Sequence, residues 1–236
     1  MIIEKDVIIP VAPLRHKCSD NSNQETQCLY GEKVKILKEG EKWSYCETKN
    51  DNYKGWLQNK HLGILENFTH IVSSLSTYIY SDPDYKSKKI SVLFLNSKIR
   101  VLNEDKYWAK VELYNNKIGF TFKNNITAKN KFEENWIELA KKFIETPYLW
   151  GGKTSHGIDC SGLVQACLQN AMPDFPRNSN EQQFYKSDYI KDVSSIKKGC
   201  LIFWKGHVAI TISDIEIIHS NIFHMCVKIE KLKNAL

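Results

Sequence analysis

The sequence predicts an α+β protein in which two small β-barrels precede a domain of helices and antiparallel strands. Two observations carry this prediction. The first half of the chain repeats itself at an offset of 65 residues, and the hydrophobic pattern changes after Asn130. We therefore expect three domains, over residues 1–65, 66–129 and 130–236.

The repeat aligns short β-branched and aromatic runs that are separated by turn-forming residues. Val34 falls on Ile99 and Trp43 falls on Trp108 when the two copies are superposed. Runs of this kind, bounded by Gly, Asn and Asp, are typical of strands. Neither copy has a helical period, so each is predicted to form a small β-barrel.

The last third of the chain begins with two helical patterns. Apolar residues recur at helical spacing over 132–144 and 160–168, and Pro147 is expected to end the first helix. A short helix is predicted around 181–185. Strand-like runs follow over residues 200–204, 207–212, 215–219 and 226–229. Helices followed by an antiparallel meander complete the α+β order.

Charge and composition exclude several function classes. The 236 residues include 33 Lys and Arg against 27 Asp and Glu, a net charge of +6, and the lysines alternate with acids. This scattered charge does not favour a nucleic-acid partner. No apolar run approaches the ~18 residues of a membrane span, and the first apolar run does not read as a secretory signal. We therefore expect a cytoplasmic monomer that binds neither nucleic acid nor membrane.

The seven cysteines favour reduced thiols. Their number is odd, the chain is long, and no Cys-x-x-Cys pair occurs. A disulfide scaffold and a structural zinc site are therefore not expected, and neither is any other cofactor.

Cys160 is the candidate nucleophile because it stands where a Gly-rich loop becomes a helix. Unpaired N–H groups and the helix dipole favour an anion there, which predicts a lowered thiol pKa and an oxyanion donor in the Cys160 N–H. The alternative is a small buried apolar residue, as expected for Cys167.

Two histidines supply a candidate base. His207 begins one predicted strand and His219 ends the next, so the two side chains lie nearly opposite in a hairpin. His207 is predicted to act as the base, with His219 holding its imidazole in the required tautomer. The other five histidines are expected at the surface, at positions 16, 61, 70, 156 and 224.

These residues occur in segments that resemble the NlpC-type, papain-like cell-wall peptidases. The matching segments are Tyr148-Leu149-Trp150-Gly151-Gly152, Asp159-Cys160-Ser161-Gly162-Leu163-Val164-Gln165, Pro176-Arg177, Gly206-His207-Val208 and Ile218-His219-Ser220. The first half resembles the bacterial SH3-like barrels that precede such peptidases, on Thr26-Gln27-Cys28-Leu29-Tyr30-Gly31-Glu32 and Tyr53-Lys54-Gly55-Trp56-Leu57. Members of this subgroup are γ-D-glutamyl-L-diamino-acid peptidases.

The resemblance implies roles for particular residues. Cys160, His207 and His219 would form the catalytic set, and the Tyr148 hydroxyl would be a second oxyanion donor. Tyr53 of the first barrel would close the pocket over the amino end of the substrate. The remaining substrate-binding residues would be Trp150, Asp159, Ser161, Arg177, Asn178 and Ser179. The expected substrate is a short muropeptide with a free N-terminal L-Ala, cut between γ-D-Glu and meso-diaminopimelate.

One departure from the family pattern affects substrate binding. The family has Asp after the Arg of its Pro-Arg segment, and that Asp helps to bind the L-Ala ammonium, whereas this chain has Asn178. Loss of the charge predicts weaker amine binding. Two alternatives therefore stay open: a muropeptide-binding protein with little or no activity, and an amidase or acyltransferase with another substrate.

Overall fold

A computed structural model of the chain describes residues 3–131, 135–186, 188–190 and 192–235. The chain divides into two compact units, Met1–Phe132 and Glu133–Leu236. The boundaries predicted at residues 65 and 129 stay predictions.

The first half of unit one is a seven-stranded antiparallel sheet in the strand order β3-β2-β6-β5-β4-β1-β7. Its strands are β1 (Ile3–Val7), β2 (Val11–Arg15), β3 (Gln24–Leu29), β4 (Lys33–Glu39), β5 (Trp43–Thr48), β6 (Lys54–Gln58) and β7 (Leu62–Gly63). Its core is built from alternate positions of these strands, among them the fully buried Val7, Leu14 and Leu57.

The second half of unit one repeats this sheet strand for strand, in the order β10-β9-β13-β12-β11-β8-β14. Its strands are β8 (His70–Val72), β9 (Ser76–Tyr80), β10 (Lys89–Phe94), β11 (Lys98–Glu104), β12 (Trp108–Leu113), β13 (Lys117–Phe122) and β14 (Ile126–Ala128). The irregularity between Ile36 and Lys38 in the first copy recurs between Val101 and Asn103 in the second. The predicted repeat of SH3-like barrels is confirmed.

The two barrels are joined through Tyr30. Its side chain is buried in the core of the second barrel, although the residue follows β3 of the first. The backbone N–H of Tyr114 donates to its hydroxyl at 2.9 Å, and the N–H of Lys98 donates to its carbonyl at 2.9 Å. The next residue, Gly31, has a left-handed φ of 77°, and a Cβ there would lie 2.5 Å from the Lys98 carbonyl oxygen.

Unit two combines helices with a meander in the order β17-β18-β19-β20. Its elements are α1 (Trp136–Lys142), β15 (Lys153–Thr154), β16 (Gly157–Ile158), α2 (Cys160–Leu168), α3 (Ser179–Gln182), β17 (Leu201–Trp204), β18 (His207–Thr211), β19 (Glu216–Asn221), β20 (Cys226–Lys231) and α4 (Leu232–Ala235). Every residue of α2 is buried, and the helix packs against β18 and β19. The predicted α+β order is confirmed.

The first predicted helix is shorter than its hydrophobic pattern. Position 132 lies outside the described residues, and α1 ends at Lys142, well before Pro147. Glu145 adopts a left-handed φ of 66°, which stops the helix, and Ile144 is exposed. The short helix α3 also begins two residues earlier than expected.

Candidate active site

Cys160 is the first residue of α2, as predicted. Asp159 caps this helix, because its Oδ1 accepts the N–H of Gly162 at 2.7 Å. Its Oδ2 accepts the N–H of Gly151 at 2.8 Å, which ties the preceding loop to the same carboxylate. This capping holds the nucleophile at the first turn of a buried helix, where unpaired N–H groups point towards incoming negative charge.

The thiol is buried and protonated at rest, which differs from the expected lowered pKa. Cys160 is 8% exposed. Burial first, and then the Asp159 carboxylate, raise the pKa of Cys160, while hydrogen bonds from the N–H groups of Val208 and Ser161 oppose the rise. Because Val208 follows His207 directly, the sulfur lies against the start of β18.

Arg177 and Asp159 form a buried ion pair. Arg177 is 2% exposed, and its Nη2 donates to Asp159 Oδ2 at 2.7 Å while its Nη1 donates to Oδ1 at 2.9 Å. Arg177 Nη1 also donates to the hydroxyl of the buried Ser161 at 2.9 Å. These contacts give the three side chains an internal role in holding the start of α2. Their predicted contacts with substrate stay predictions.

His207 and His219 are in direct contact, as the hairpin pattern predicts. His207 Nε2 lies 2.8 Å from His219 Nδ1. The second ring nitrogen of His207, Nδ1, takes no part in this contact. His219 does not end its strand, since β19 continues to Asn221. It is 4% exposed, so its ring is fixed by its neighbours.

Burial also sets the protonation of the two rings. It lowers the pKa of His207 to about 4, helped by His219 and opposed by Glu230. It lowers the pKa of His219 as well, again opposed by Glu230. At neutral pH the site therefore holds a thiol and two neutral imidazoles, a state in which His207 can accept a proton.

Glu230 is a neighbour of this pair that the sequence does not reveal. Its Oε1 lies 2.6 Å from His219 Nε2 and 3.7 Å from His224 Nε2. This contact corrects the prediction that His224 is an isolated surface residue. The only sequence signal is a lone acid in the last strand, which does not distinguish Glu230 from the other acids of the chain.

Tyr148 keeps its hydroxyl proton. Burial first, and then Asp159 and Cys160, raise the pKa of Tyr148 to about 12. Its backbone is held by a hydrogen bond from its N–H to the Met225 carbonyl at 2.8 Å and by a bridge to Ile158. A fixed, protonated phenol near Cys160 is suited to donating a hydrogen bond to an oxyanion.

The remaining predicted substrate residues lie in different surroundings. Trp150 is 64% exposed, so it is not a core aromatic residue. Asn178 and Ser179 are half-buried at the start of α3, and Asn178 makes no side-chain cap there. Tyr53 belongs to unit one, where its hydroxyl lies 3.5 Å from a Glu25 carboxylate oxygen. Its predicted role over the substrate stays a prediction.

Comparison with protein-family models covers most of the chain. Residues 145–236 match the NlpC/P60 family. Residues 14–62 match the bacterial dipeptidyl-peptidase Sh3 domain, and residues 74–127 match the bacterial SH3 domain. The chain carries an NlpC/P60 domain behind two bacterial SH3 domains. The predicted resemblance to the NlpC-type peptidases is therefore confirmed over this domain. NlpC/P60 peptidases are cysteine peptidases.

Two curated relatives align with most of this chain and with more than two thirds of their own length. A gamma-D-glutamyl-L-lysine dipeptidyl-peptidase of Bacillus cereus is 28% identical over 230 residues, covering 85% of this chain and 68% of the relative. Dipeptidyl-peptidase 6 of Lysinibacillus sphaericus is 28% identical over 220 residues, covering 83% of this chain and 79% of the relative.

A solved structure has the same fold. The crystal structure of an NlpC/P60 family protein from Bacillus cereus superposes with a TM-score of 0.86 at 23% identity, covering 98% of this chain and 94% of that one.

Two further observations concern metals and membranes. Within the described ranges, no group of three or more His, Cys, Asp or Glu side chains is placed to hold a metal ion. Among those same residues, no helix has the length and apolar character needed to cross a membrane.

Proposed function

We propose that this protein is a cysteine endopeptidase that hydrolyses the γ-D-glutamyl–meso-diaminopimelate bond of short muropeptides with a free N-terminal L-Ala. The observation that carries the proposal is the hydrogen-bonded His207–His219 pair in the same NlpC/P60 domain as Cys160, whose sulfur lies against the strand that His207 begins. Cys160 is the proposed nucleophile and His207 the proposed base.

The proposed reaction has two halves. The Cys160 sulfur attacks the γ-carbonyl carbon of D-Glu while Nδ1 of His207 takes the thiol proton. The Cys160 N–H and the Tyr148 hydroxyl stabilise the oxyanion. The C–N bond breaks as His207 returns the proton to the leaving amine, and a thioester remains. Water, deprotonated by His207, then hydrolyses the thioester, which releases L-Ala-D-Glu and restores the thiol.

The names of the relatives support the substrate class. The Bacillus cereus relative is named for γ-D-glutamyl-L-lysine, which contains the same γ-D-glutamyl acyl group joined to a different diamino acid. The proposed substrate-binding residues are those that the sequence predicts: Tyr53, Trp150, Asp159, Ser161, Arg177, Asn178 and Ser179. We propose further that the protein acts on released peptides, in recycling, and leaves polymeric wall intact.

The test is mass spectrometry of synthetic L-Ala-γ-D-Glu-meso-diaminopimelate incubated with wild type and with Cys160→Ala. The L-Lys tripeptide, the N-acetylated tripeptide and intact wall are incubated in parallel. We expect wild type alone to release L-Ala-D-Glu, and to spare the acetylated peptide and the wall. Equal cutting of the free and acetylated peptides would refute the amine requirement. Cutting of the L-Lys peptide alone would refute meso-diaminopimelate as the diamino acid of the substrate and replace it with L-Lys.

A second candidate is a muropeptide-binding protein of little activity. It is favoured by the raised pKa of Cys160, which leaves little thiolate at neutral pH, and by the missing charge at Asn178. Tight binding of the tripeptide to wild type without any product would support this candidate and refute the first.

A further inference from the structure

A carboxylate lies at the far end of the histidine pair. Glu230 Oε1 is 2.6 Å from His219 Nε2, and both side chains are largely buried. An ionised carboxylate can only accept hydrogen bonds, so this contact requires a proton on Nε2 of His219. A charge-assisted hydrogen bond of this length is stronger than one between neutral groups.

A proton on Nε2 fixes the tautomers of both rings. In a neutral imidazole the other nitrogen, Nδ1 of His219, then carries a lone pair. This nitrogen can only accept, and the donor that lies 2.8 Å away is Nε2–H of His207. This leaves the lone pair of His207 on Nδ1, the nitrogen that must take the thiol proton.

A competing group lies at the same nitrogen and favours the opposite arrangement. The amide nitrogen of Asn221 is also 2.6 Å from His219 Nε2. The amide is oriented by its Oδ1, which accepts the N–H of His224 at 2.8 Å. An amide N–H that donated to Nε2 would move the His219 proton to Nδ1. That proton would then either oppose the proton on Nε2 of His207 or force His207 into its other tautomer.

Charge acts in the same direction as the hydrogen bond. Glu230 counters burial at both rings and so favours the imidazolium that forms when His207 accepts a proton. Two other charged or titratable side chains near Glu230 do not take over this role. His224 lies 3.7 Å away on the hairpin turn, and Lys228 of β20 is paired with Glu145 at 2.6 Å.

We propose that Glu230 is a positioning residue for the reaction, which acts through His219 to keep the lone pair of His207 on the nitrogen that faces the nucleophile. Without this carboxylate, Asn221 selects the unproductive tautomer. The role deepens the proposed function, and its kinetic test rests on that function. A test of the tautomer itself requires no substrate.

The central variant is Glu230→Gln, and the matched control is Glu145→Gln. Both remove one carboxylate from the same unit, but Glu145 contacts Lys228 and not His219. Nitrogen-15 NMR of the imidazole rings in the full chain reads the tautomers. We expect His219 of wild type and of the control to carry its proton on Nε2, and Glu230→Gln to show a shifted or mixed tautomer.

Kinetics on the tripeptide should distinguish Glu230→Gln from Glu145→Gln in the same way. We expect Glu230→Gln to lower kcat about 10- to 100-fold with little change in KM, by analogy with the loss of groups that orient metal-bound histidines. The acid limb of kcat/KM should move to lower pH, because the charge that opposes the low pKa of His207 is gone. Glu145→Gln should leave both unchanged.

A rescue variant separates positioning from simple loss of structure. Asn221→Asp in the Glu230→Gln background places a carboxylate at the same nitrogen from the other side. We expect this double variant to restore the Nε2 proton and most of kcat. A wild-type His219 protonated on Nδ1, or an unchanged tautomer and kcat in Glu230→Gln, would overturn the proposal.

The two proposals fail differently. If wild type cuts no muropeptide while the tautomer still shifts in Glu230→Gln and returns in the double variant, the proposed function is refuted and the positioning role is supported. If wild type cuts the tripeptide and the double variant stays as slow as Glu230→Gln, the positioning role is refuted and the proposed function stands.

Discussion

At the scale of single residues, the Asp159–Arg177 pair fixes the start of the helix that carries the nucleophile. The carboxylate caps α2, binds the loop at Gly151 and neutralises Arg177 where both side chains are almost fully buried. Removing one partner of such a pair leaves a buried charge without compensation, which costs more than the pair itself contributes.

Arg177→Met should therefore destabilise unit two by about 3–5 kcal/mol. Urea unfolding followed by fluorescence measures the change. Lys186→Ala, which breaks the exposed contact with Asp174, is the matched control and should have little effect. Adding Asp159→Asn to Arg177→Met removes the stranded charge, and it should recover part of the loss. Equal stability of Arg177→Met and wild type would contradict this role.

The activity should stay high at acidic pH. His207 must be neutral to take the thiol proton, and burial lowers its pKa from 6.5 to about 4. Protonation therefore begins only as the pH falls towards 4. We expect kcat/KM on the tripeptide to fall on the acid side with a midpoint near pH 4, measured by product release in buffers of constant ionic strength. An acid limb near 6.5 would mean that the ring is solvated in the free enzyme.

The sequence predicts these residues unequally. Cys160, His207 and His219 are predictable because a helix start and a hairpin bring them into local patterns. Glu230 is not, because its contact depends on strand register: His219 pairs with Lys228, and Glu230 reaches it diagonally from the position opposite Ile217. The raised pKa of Cys160 is not predictable for a similar reason, since burial depends on the packing of the whole helix.

At the scale of elements, the turn after β3 joins the two barrels. Gly31 has a left-handed backbone and lies so close to the Lys98 carbonyl that no side chain fits. Gly206, in the turn before β18, has the same φ of 77°, but a Cβ added there would meet nothing within 4 Å. Substitutions at these two glycines therefore distinguish the free-energy cost of a left-handed backbone from the cost of a steric collision.

Gly206→Ala should destabilise the protein by about 1–2 kcal/mol, the penalty for a left-handed residue with a side chain. Gly31→Ala adds a collision with backbone and should cost more, with a larger loss of Tm for unit one. Calorimetry of the full chain compares the two variants. Equal losses of Tm in Gly31→Ala and Gly206→Ala would show that the barrels separate easily at this turn.

The bounds of the elements are predictable from the sequence where buried and exposed side chains alternate. They are not predictable where the backbone conformation of a single residue ends the element. The offset of 65 residues correctly predicts two barrels of the same strand order. The predicted end of α1 is wrong because the left-handed Glu145, which has no marker in the sequence, stops the helix before Pro147 does.

At the scale of the whole molecule, the seven cysteines differ in accessibility. Within the described residues none of them forms a disulfide, and Cys18 is exposed whereas Cys28, Cys46 and Cys167 are buried. Burial raises the pKa of Cys46 to about 12 and also raises the pKa of Cys167, so these two form almost no thiolate. The chain can therefore hold a reactive thiol without its core thiols competing.

Iodoacetamide should modify Cys18 first in the native protein and leave Cys28, Cys46 and Cys167 intact. Peptide mass spectrometry after a short pulse measures each site. Unfolding in urea should expose all seven, which serves as the positive control. A disulfide-linked peptide pair recovered before alkylation would contradict the assignment of reduced thiols.

The position of Tyr30 has a consequence for exchanging modules between proteins of this kind. A designer who cut the chain between the barrels would give the second barrel a hole in its core and the first an aromatic residue with no partner. The two barrels therefore form a structural pair. Grafting either barrel onto another enzyme requires Tyr30 and the site around Tyr114 in which it packs to be transferred together or replaced together.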